Sequence, residues 1–273
     1  MKFPFKMMAF AVAAIAIPAV MASPAFSRNP AVSPLPDEAA IVHNVSQAET
    51  QTELDQAQKQ ELKQEAAAVA VSAKTIHDTT DLYKVDLSIP VIAGMADERY
   101  QAQLNAKLEN QAMEDLKLLK QEAAEAADDA AAEGYTFHPY EMKLEYALKS
   151  DGSRSAGGKL SLTVQTYLYS GGAHGGTLVD TYNVSNDKEA ELLTLEKVLG
   201  SRYKELGEGA LKQAFTEDPD RFNATDVENF ALTNAHDFYL ADGKVYLLFQ
   251  EYEVAPFAGG IIDVQVKGAE RNL

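Results

Sequence analysis

Apolar residues first recur at every second position in 82–92, where Tyr83, Val85, Leu87 and Ile89 alternate with Lys84, Asp86 and Ser88. That period predicts a half-buried strand, stopped near Pro90, whose missing N–H cannot serve a ladder. The period then changes. Tyr100, Leu104, Leu108, Met113, Leu116 and Leu119 recur at helical spacing, which predicts a long helix that starts at Asp97 or its neighbours, runs toward Glu133 and ends at Gly134. Three strand-like runs follow: Glu141 to Leu148, with Met142, Leu144, Tyr146 and Leu148 on one face, then Lys159 to Tyr169, then Thr177 to Val184. Glycine-rich turns between them predict two successive hairpins and hence an antiparallel sheet.

Beyond this sheet, Leu195 to Phe215 has broken helical spacing, and Gly200, Gly207 and Gly209 are expected to split it into short helices. Asp237 to Leu240 and Lys244 to Gln250 flank Asp242-Gly243, a strong hairpin signal, and Gly260 to Val266 supplies a last strand. No βαβ repetition and no internal repeat is visible. The expected class is α+β, an antiparallel sheet packed against a long helix and a few short helices.

Upstream of that region the pattern is different. Lys2 and Lys6 precede a short apolar run, Met7 to Ala22, with small residues offering cleavage after Ala22 or Ala25. Residues 1–25 therefore read as a signal peptide; the run contains Pro18 and is marginal for spanning a bilayer, so a retained N-terminal anchor is the lesser alternative. Residues 26–80 read as a flexible tether and a polar helix. Ser23 to Asn44 is rich in proline, serine and alanine, and Ser46 with Glu49 forms a capping-box pattern before helix formers from Gln47 to Ser72. Residues 81–273 are then the globular part, with halves of about 81–170 and 171–273. The protein is expected to be exported, periplasmic or extracellular, with no stable membrane span after processing.

Composition narrows the partners. The chain has no cysteine, so it has neither disulfides nor a thiolate nucleophile and must fold by core burial alone. With 24 basic against 41 acidic residues the formal net charge is −17. Nucleic acid is therefore excluded as a partner, since its affinity rests on neutralising phosphates. A basic protein or a surface rich in divalent cations fits better, and excess acid that merely keeps an exported protein soluble fits as well.

Two stretches depart from packing logic. Tyr169-Ser170-Gly171-Gly172-Ala173-His174-Gly175-Gly176 sets four glycines around one histidine between two strands, which implies a tight, closely approached bend carrying an imidazole. Glu251-Tyr252-Glu253-Val254-Ala255-Pro256-Phe257-Ala258-Gly259-Gly260 places aromatics, acids and a proline before small residues. The candidate binding residues are Gly171, Gly172, His174, Gly175, Tyr252, Glu253, Pro256 and Phe257, expected to form one patch from two remote segments. Within a strand, Glu251 and Glu253 would share one face, toward solvent or a partner, with Tyr252 on the other. Tyr252 and Phe257 read as interface anchors or as sheet packing. For His174 a structural role in the bend, a partner contact, and a catalytic or metal-binding role all remain open.

Catalytic signals are missing. His43, His77, His138, His174 and His236 show no metal-ligand spacing. No serine stands in a Gly-x-Ser-x-Gly elbow, and the glycines of the bend do not open a helix after a parallel strand. No catalytic residue, cofactor or metal is assigned.

Residues 82–266 resemble the bacterial extracytoplasmic module made of a DUF4163-like half followed by a DUF3298-like half. The resemblance rests on Val85-Asp86-Leu87-Ser88-Ile89-Pro90-Val91-Ile92 with the helix after it, and on the Gly171-Gly172-Ala173-His174-Gly175 turn. It rests also on Leu193-Thr194-Leu195, and on Phe238-Tyr239-Leu240 through Pro256-Phe257-Ala258-Gly259-Gly260. That module occurs in the lysozyme-binding anti-sigma factor RsiV and beside the catalytic domain of the peptidoglycan deacetylase PdaC. The resemblance implies an exported, non-enzymatic binding domain for a cell-envelope component such as peptidoglycan or for a basic, lysozyme-like protein. An envelope-directed hydrolase using His174 with a nearby carboxylate is the alternative, and a structural or assembly protein of the periplasm is a second.

Overall fold

The computed structural model describes residues 68–267; the expected signal peptide, the tether and most of the expected polar helix lie outside them. Strands β1 (Ala70–Thr79), β2 (Tyr83–Ala93), β3 (Tyr140–Asp151), β4 (Lys159–Tyr169) and β5 (Gly176–Ser185) form a sheet in that order. Helix α1 (Glu98–Glu133) joins β2 to β3. Helices α2 (Leu195–Leu199), α3 (Tyr203–Glu217) and α4 (Ala224–Asn229) follow. A second sheet of β6 (Phe238–Ala241), β7 (Lys244–Phe249) and β8 (Ile262–Val266) completes the α+β fold.

α1 begins and ends where its sequence dictates. The Asp97 carboxylate accepts the N–H of Tyr100 at 2.9 Å and that of Ala190 at 3.2 Å, so one side chain caps the helix and ties down a loop from the far end of the sheet. Gly134 closes the helix in the left-handed region at φ 76°. The buried stripe is Leu104, Leu108, Ala112, Leu116, Leu119 and Ala123. It passes through Ala112 and leaves Met113, an expected core residue, 41 % exposed. α1 covers one face of the larger sheet, packing on Val85, Leu87, Ile89, Met142, Leu144, Leu162, Val164 and Tyr182.

The structure corrects four expectations. Residues 70–79, assigned to the tether and polar helix, form β1, paired antiparallel with β2; Val71 and Ile76 pack on the α1 core, and this tertiary contact overrides a weak helix propensity. The sheet is not wholly antiparallel, because β2 and β3 run parallel with α1 as their crossover. β2 does not stop at Pro90 but continues to Ala93. Its pairing with β3 ends at Leu87, so the missing proline N–H falls where β2 has a partner on one side only. Finally, Gly200 does separate α2 from α3, but Gly207 and Gly209 lie inside α3. A Cβ at Gly207 would collide with a methyl of Leu232 and lie 3.2 Å from Leu247 Cδ1, so the glycine there permits close helix–sheet packing.

The second sheet carries its own core, with α2, α3 and α4 packed on Phe238, Leu240, Val245, Leu247, Phe249, Ile262 and Val264. It meets the face of the larger sheet opposite α1 through an apolar cluster, Val179 with Tyr239 and Leu248, and through polar contacts beside it. The Ser161 hydroxyl accepts from Leu240 N–H at 2.9 Å and donates to Asn183 Oδ1 at 2.7 Å, while Asn183 Nδ2 donates to the Phe238 carbonyl at 2.6 Å. These side chains satisfy the free edge of β6, which would otherwise be buried unpaired.

Candidate functional site

β4 and β5 end in register, Leu168 opposite Gly176, so the intervening residues must turn back within a few residues. Two glycines meet that demand for different reasons. Gly171 sits in the left-handed region at φ 79°. Gly175 does not, but a Cβ there would lie 2.5 Å from both Cε2 and the hydroxyl oxygen of Tyr167, so the tyrosine ring packs directly on its backbone. Gly172 is solvent-exposed. A Cβ at Gly176 would stand 3.6 Å from the Glu251 carboxylate, so this position leaves room for that side chain.

The bend delivers His174 onto Phe257, ring centroids 3.9 Å apart and 24° from parallel. His174 Nδ1 lies 2.9 Å from the Gly175 carbonyl, to which it donates, and the ring is exposed. Phe257 also stacks on Tyr252, at 5.6 Å and 28°. Pro256 precedes the short 3₁₀ turn Phe257–Gly259 that fixes the phenylalanine. Tyr252 is 60 % exposed and holds φ 66°, a left-handed backbone that a bulky residue adopts only at a cost. The two remote segments therefore form one surface, a run of three rings contributed by the bend and by the β7–β8 connection.

The acidic part of the expectation does not hold. Residues 251–254 form a turn rather than a strand, so Glu251 and Glu253 do not share an outward face. Glu253 turns inward. It accepts from Gln250 N–H at 2.8 Å, closing the turn, and its other oxygen lies 3.5 Å from His236 Nδ1. Burial, opposed by the Gln250 hydrogen bond, pushes the Glu253 carboxyl above its usual range. His236 is a core histidine, 9 % exposed at its side chain and packed on Phe230 and Phe249. Burial lowers its pKa, so the ring is held neutral, and its Nε2 has no hydrogen-bond partner among the described residues. Val254 and Ala255, both buried, anchor the turn in the second core.

Gln250, unremarked in the sequence, holds the whole assembly in place. Its amide accepts from Val179 N–H at 3.1 Å and donates to Val179 carbonyl at 2.8 Å, pairing with the β5 edge as a neighbouring strand would. The same nitrogen lies 3.1 Å from Asp237, which accepts from Thr181 at 2.9 Å. Tyr167 is the other residue sequence reasoning passed over. Its outward position near the end of β4, two residues before Tyr169, is legible from the alternation, but its contact with Gly175 is not. Among the described residues no group of three or more metal-ligating side chains converges, and no helix is long and apolar enough to cross a membrane.

Comparison with known proteins fits this architecture. Residues 76–177 match the family model described as Deacetylase PdaC, and residues 192–268 that of a protein of unknown function, DUF3298. No curated protein matches the chain. Two solved structures share the fold. One, a DUF3298 family member from Bacteroides fragilis, is 15 % identical with a TM-score of 0.59, over 74 % of this chain and 91 % of that one. The other, a DUF3298 family protein from Pseudomonas aeruginosa PAO1, is 15 % identical with a TM-score of 0.51 over the same shares.

Proposed function

Because residues 192–268 match the DUF3298 family model and residues 76–177 the model described as Deacetylase PdaC, we propose that this chain is an exported, non-enzymatic binding module. Its ring surface of His174, Phe257 and Tyr252 contacts a cell-envelope component or a basic protein of the lysozyme kind. The observation that carries this reading is Tyr252. A large aromatic left 60 % exposed on left-handed backbone contributes little to folding and costs about 1–3 kcal/mol in strain. Exposed, stacked aromatics of this type serve as binding anchors. Glu251 beside the bend, and a chain charge of −17, favour a cationic contribution from the partner.

A hydrolytic role for His174 has less support. Its Nδ1 faces a backbone carbonyl rather than a carboxylate, and one ring face is covered by Phe257. A general base is oriented by a partner that stabilises its protonated form.

The test is capture of the exported protein on purified peptidoglycan sacculi and on immobilised lysozyme, at low and at high salt. Tyr252→Ala should weaken capture about tenfold or more, with circular dichroism unchanged. Glu251→Gln should remove part of the salt dependence of capture on lysozyme. Capture that is indifferent to Tyr252→Ala and to Phe257→Ala would refute the reading.

A further inference from the structure

The ring surface stands at one end of a larger feature. The second sheet covers the part of the outer face around Ser161, Val179, Thr181 and Asn183, while His77, Lys143, Glu145 and Gln165 beyond it are exposed and Asp86 half-exposed. Ladder register runs one row straight across all five strands of that exposed part. His77 lies opposite Asp86, Asp86 opposite Lys143, Lys143 opposite Tyr167, and Tyr167 opposite Thr177. Alternation puts all five on the face away from α1, since their neighbours Val85, Leu87, Met142, Leu144 and Val164 are buried under that helix. Glu145 and Gln165, opposite each other in the next row, are exposed beside it. At about 4.8 Å per strand the row spans about 19 Å from His77 to Thr177, and Tyr167, its next-to-last member, packs its ring on Gly175 of the bend that carries His174.

The charges on this face are of both signs and interspersed. Lys143 lies 2.7 Å from Glu145, Lys84 stands opposite Glu141, and Asp86 lies 2.9 Å from His77 Nδ1. The face therefore offers many donors and acceptors but little uncompensated field, unlike the chain as a whole. A flat, elongated, charge-balanced polar strip ending in exposed rings matches one class of occupant. We propose that this row binds an extended, uncharged polysaccharide strand, its hydroxyls bonded by Asp86, Lys143, Glu145 and Gln165 and one sugar ring laid by its C–H face on the Tyr252–Phe257–His174 surface. The assignment rests on the proposed role of that ring surface and gives it a ligand class. A basic protein would instead meet a strip whose acids are interspersed with lysines.

The probes are chitohexaose, cellohexaose and mannohexaose, each titrated calorimetrically into the exported protein. At least one should bind, with an affinity that changes less than twofold between low and high salt, since no phosphate or ion pair is involved (about 1.4 kcal/mol is tenfold). Tyr252→Ala should weaken it about tenfold, and Lys143→Ala and Gln165→Ala, which lie outside the ring surface, about three- to tenfold each. Circular dichroism of these exposed-site variants reports that the fold is kept. Binding of none of the three, or binding unmoved by both Lys143→Ala and Gln165→Ala, overturns the assignment. If the sugars fail while Tyr252→Ala still abolishes capture on lysozyme, the glycan row falls and the ring surface stands. If sugars bind and respond to Lys143→Ala but not to Tyr252→Ala, the row stands and the ring surface falls.

Discussion

Gly175→Ala is the sharpest probe of how the bend is built. Gly175 has no left-handed requirement, so alanine fits its backbone and removes conformational freedom from the unfolded chain, a gain of about 0.4–1 kcal/mol. The new methyl, however, would stand 2.5 Å from Tyr167 Cε2 and from its hydroxyl oxygen. Ordinary carbon contacts are about 3.5–4.0 Å, so the ring must retreat by about 1 Å. Overpacking of this size costs about 1–3 kcal/mol, which leaves a net destabilisation of up to about 2.6 kcal/mol. For a unit of this size that is a melting temperature lowered by up to about 10 °C. The decisive comparison is the double-mutant cycle with Tyr167→Ala, read by urea denaturation. Without the ring there is nothing to strike, so Gly175→Ala should become neutral or stabilising, a coupling of about 1–3 kcal/mol. Gly171→Ala, strained by its φ of 79° rather than by a neighbour, should gain nothing from Tyr167→Ala. Equal costs for Gly175→Ala in both backgrounds would refute the argument.

Three other outcomes follow from the packing. Ser161→Ala should cost about 1–3 kcal/mol in urea melts, because it leaves the buried Leu240 N–H without an acceptor. Asn183→Ala should cost about as much, and the double variant less than the sum. Burial first, then Asp237 and Asp115, push the Asp180 carboxyl from 3.8 to about 6. The folded chain thus holds a proton that the unfolded chain releases, and stability falls as pH rises from about 4 through about 6. Asp180→Asn should raise stability at pH 8 by about 1–3 kcal/mol and have little effect at pH 4. Equal gains at both pH values would contradict the assignment. Tyr252→Gly should relieve the left-handed strain, raising stability by about 0.5–1 kcal/mol while weakening ligand capture. A less stable Tyr252→Gly protein would show that the ring packs for stability.

Legibility in the sequence followed the range of the forces involved. α1 was readable to within a residue or so at its start and to Gly134 at its end, because Asp97 and Gly134 fix its ends through local hydrogen bonds and the left-handed closing residue. The β6–β7 hairpin was readable for the same reason, with Asp242 at φ 51° and Gly243 at φ 66°. β1 was not, since its strand state comes from pairing with β2 and not from its own alanine-rich sequence. The orientation of β3 was equally hidden, because the α1 connection allows parallel or antiparallel pairing and only the core contacts choose. At the site, the bend and the Tyr252–Phe257 segment announced themselves through glycines, a histidine and aromatics away from core spacing. The direction of Glu253 did not, because it depends on a turn set by Gln250 and on the neutral His236 behind it.

The ring surface also bears on how the two family matches relate. His174 and Gly175 fall in the first matched segment, while Tyr252 and Phe257 fall in the second. Of the residues that lock the segments together, Val179, Thr181 and Asn183 lie in the stretch between the matches and Ser161 in the first of them. Each half alone would expose what the other buries: β6 would lose the side chains that satisfy its edge, and β5 would lose the glutamine that occupies its own. The segments are therefore one folding unit with one surface. A ligand that bridges the bend and the β7–β8 turn should stabilise the whole unit against urea, since it binds only when both halves are docked.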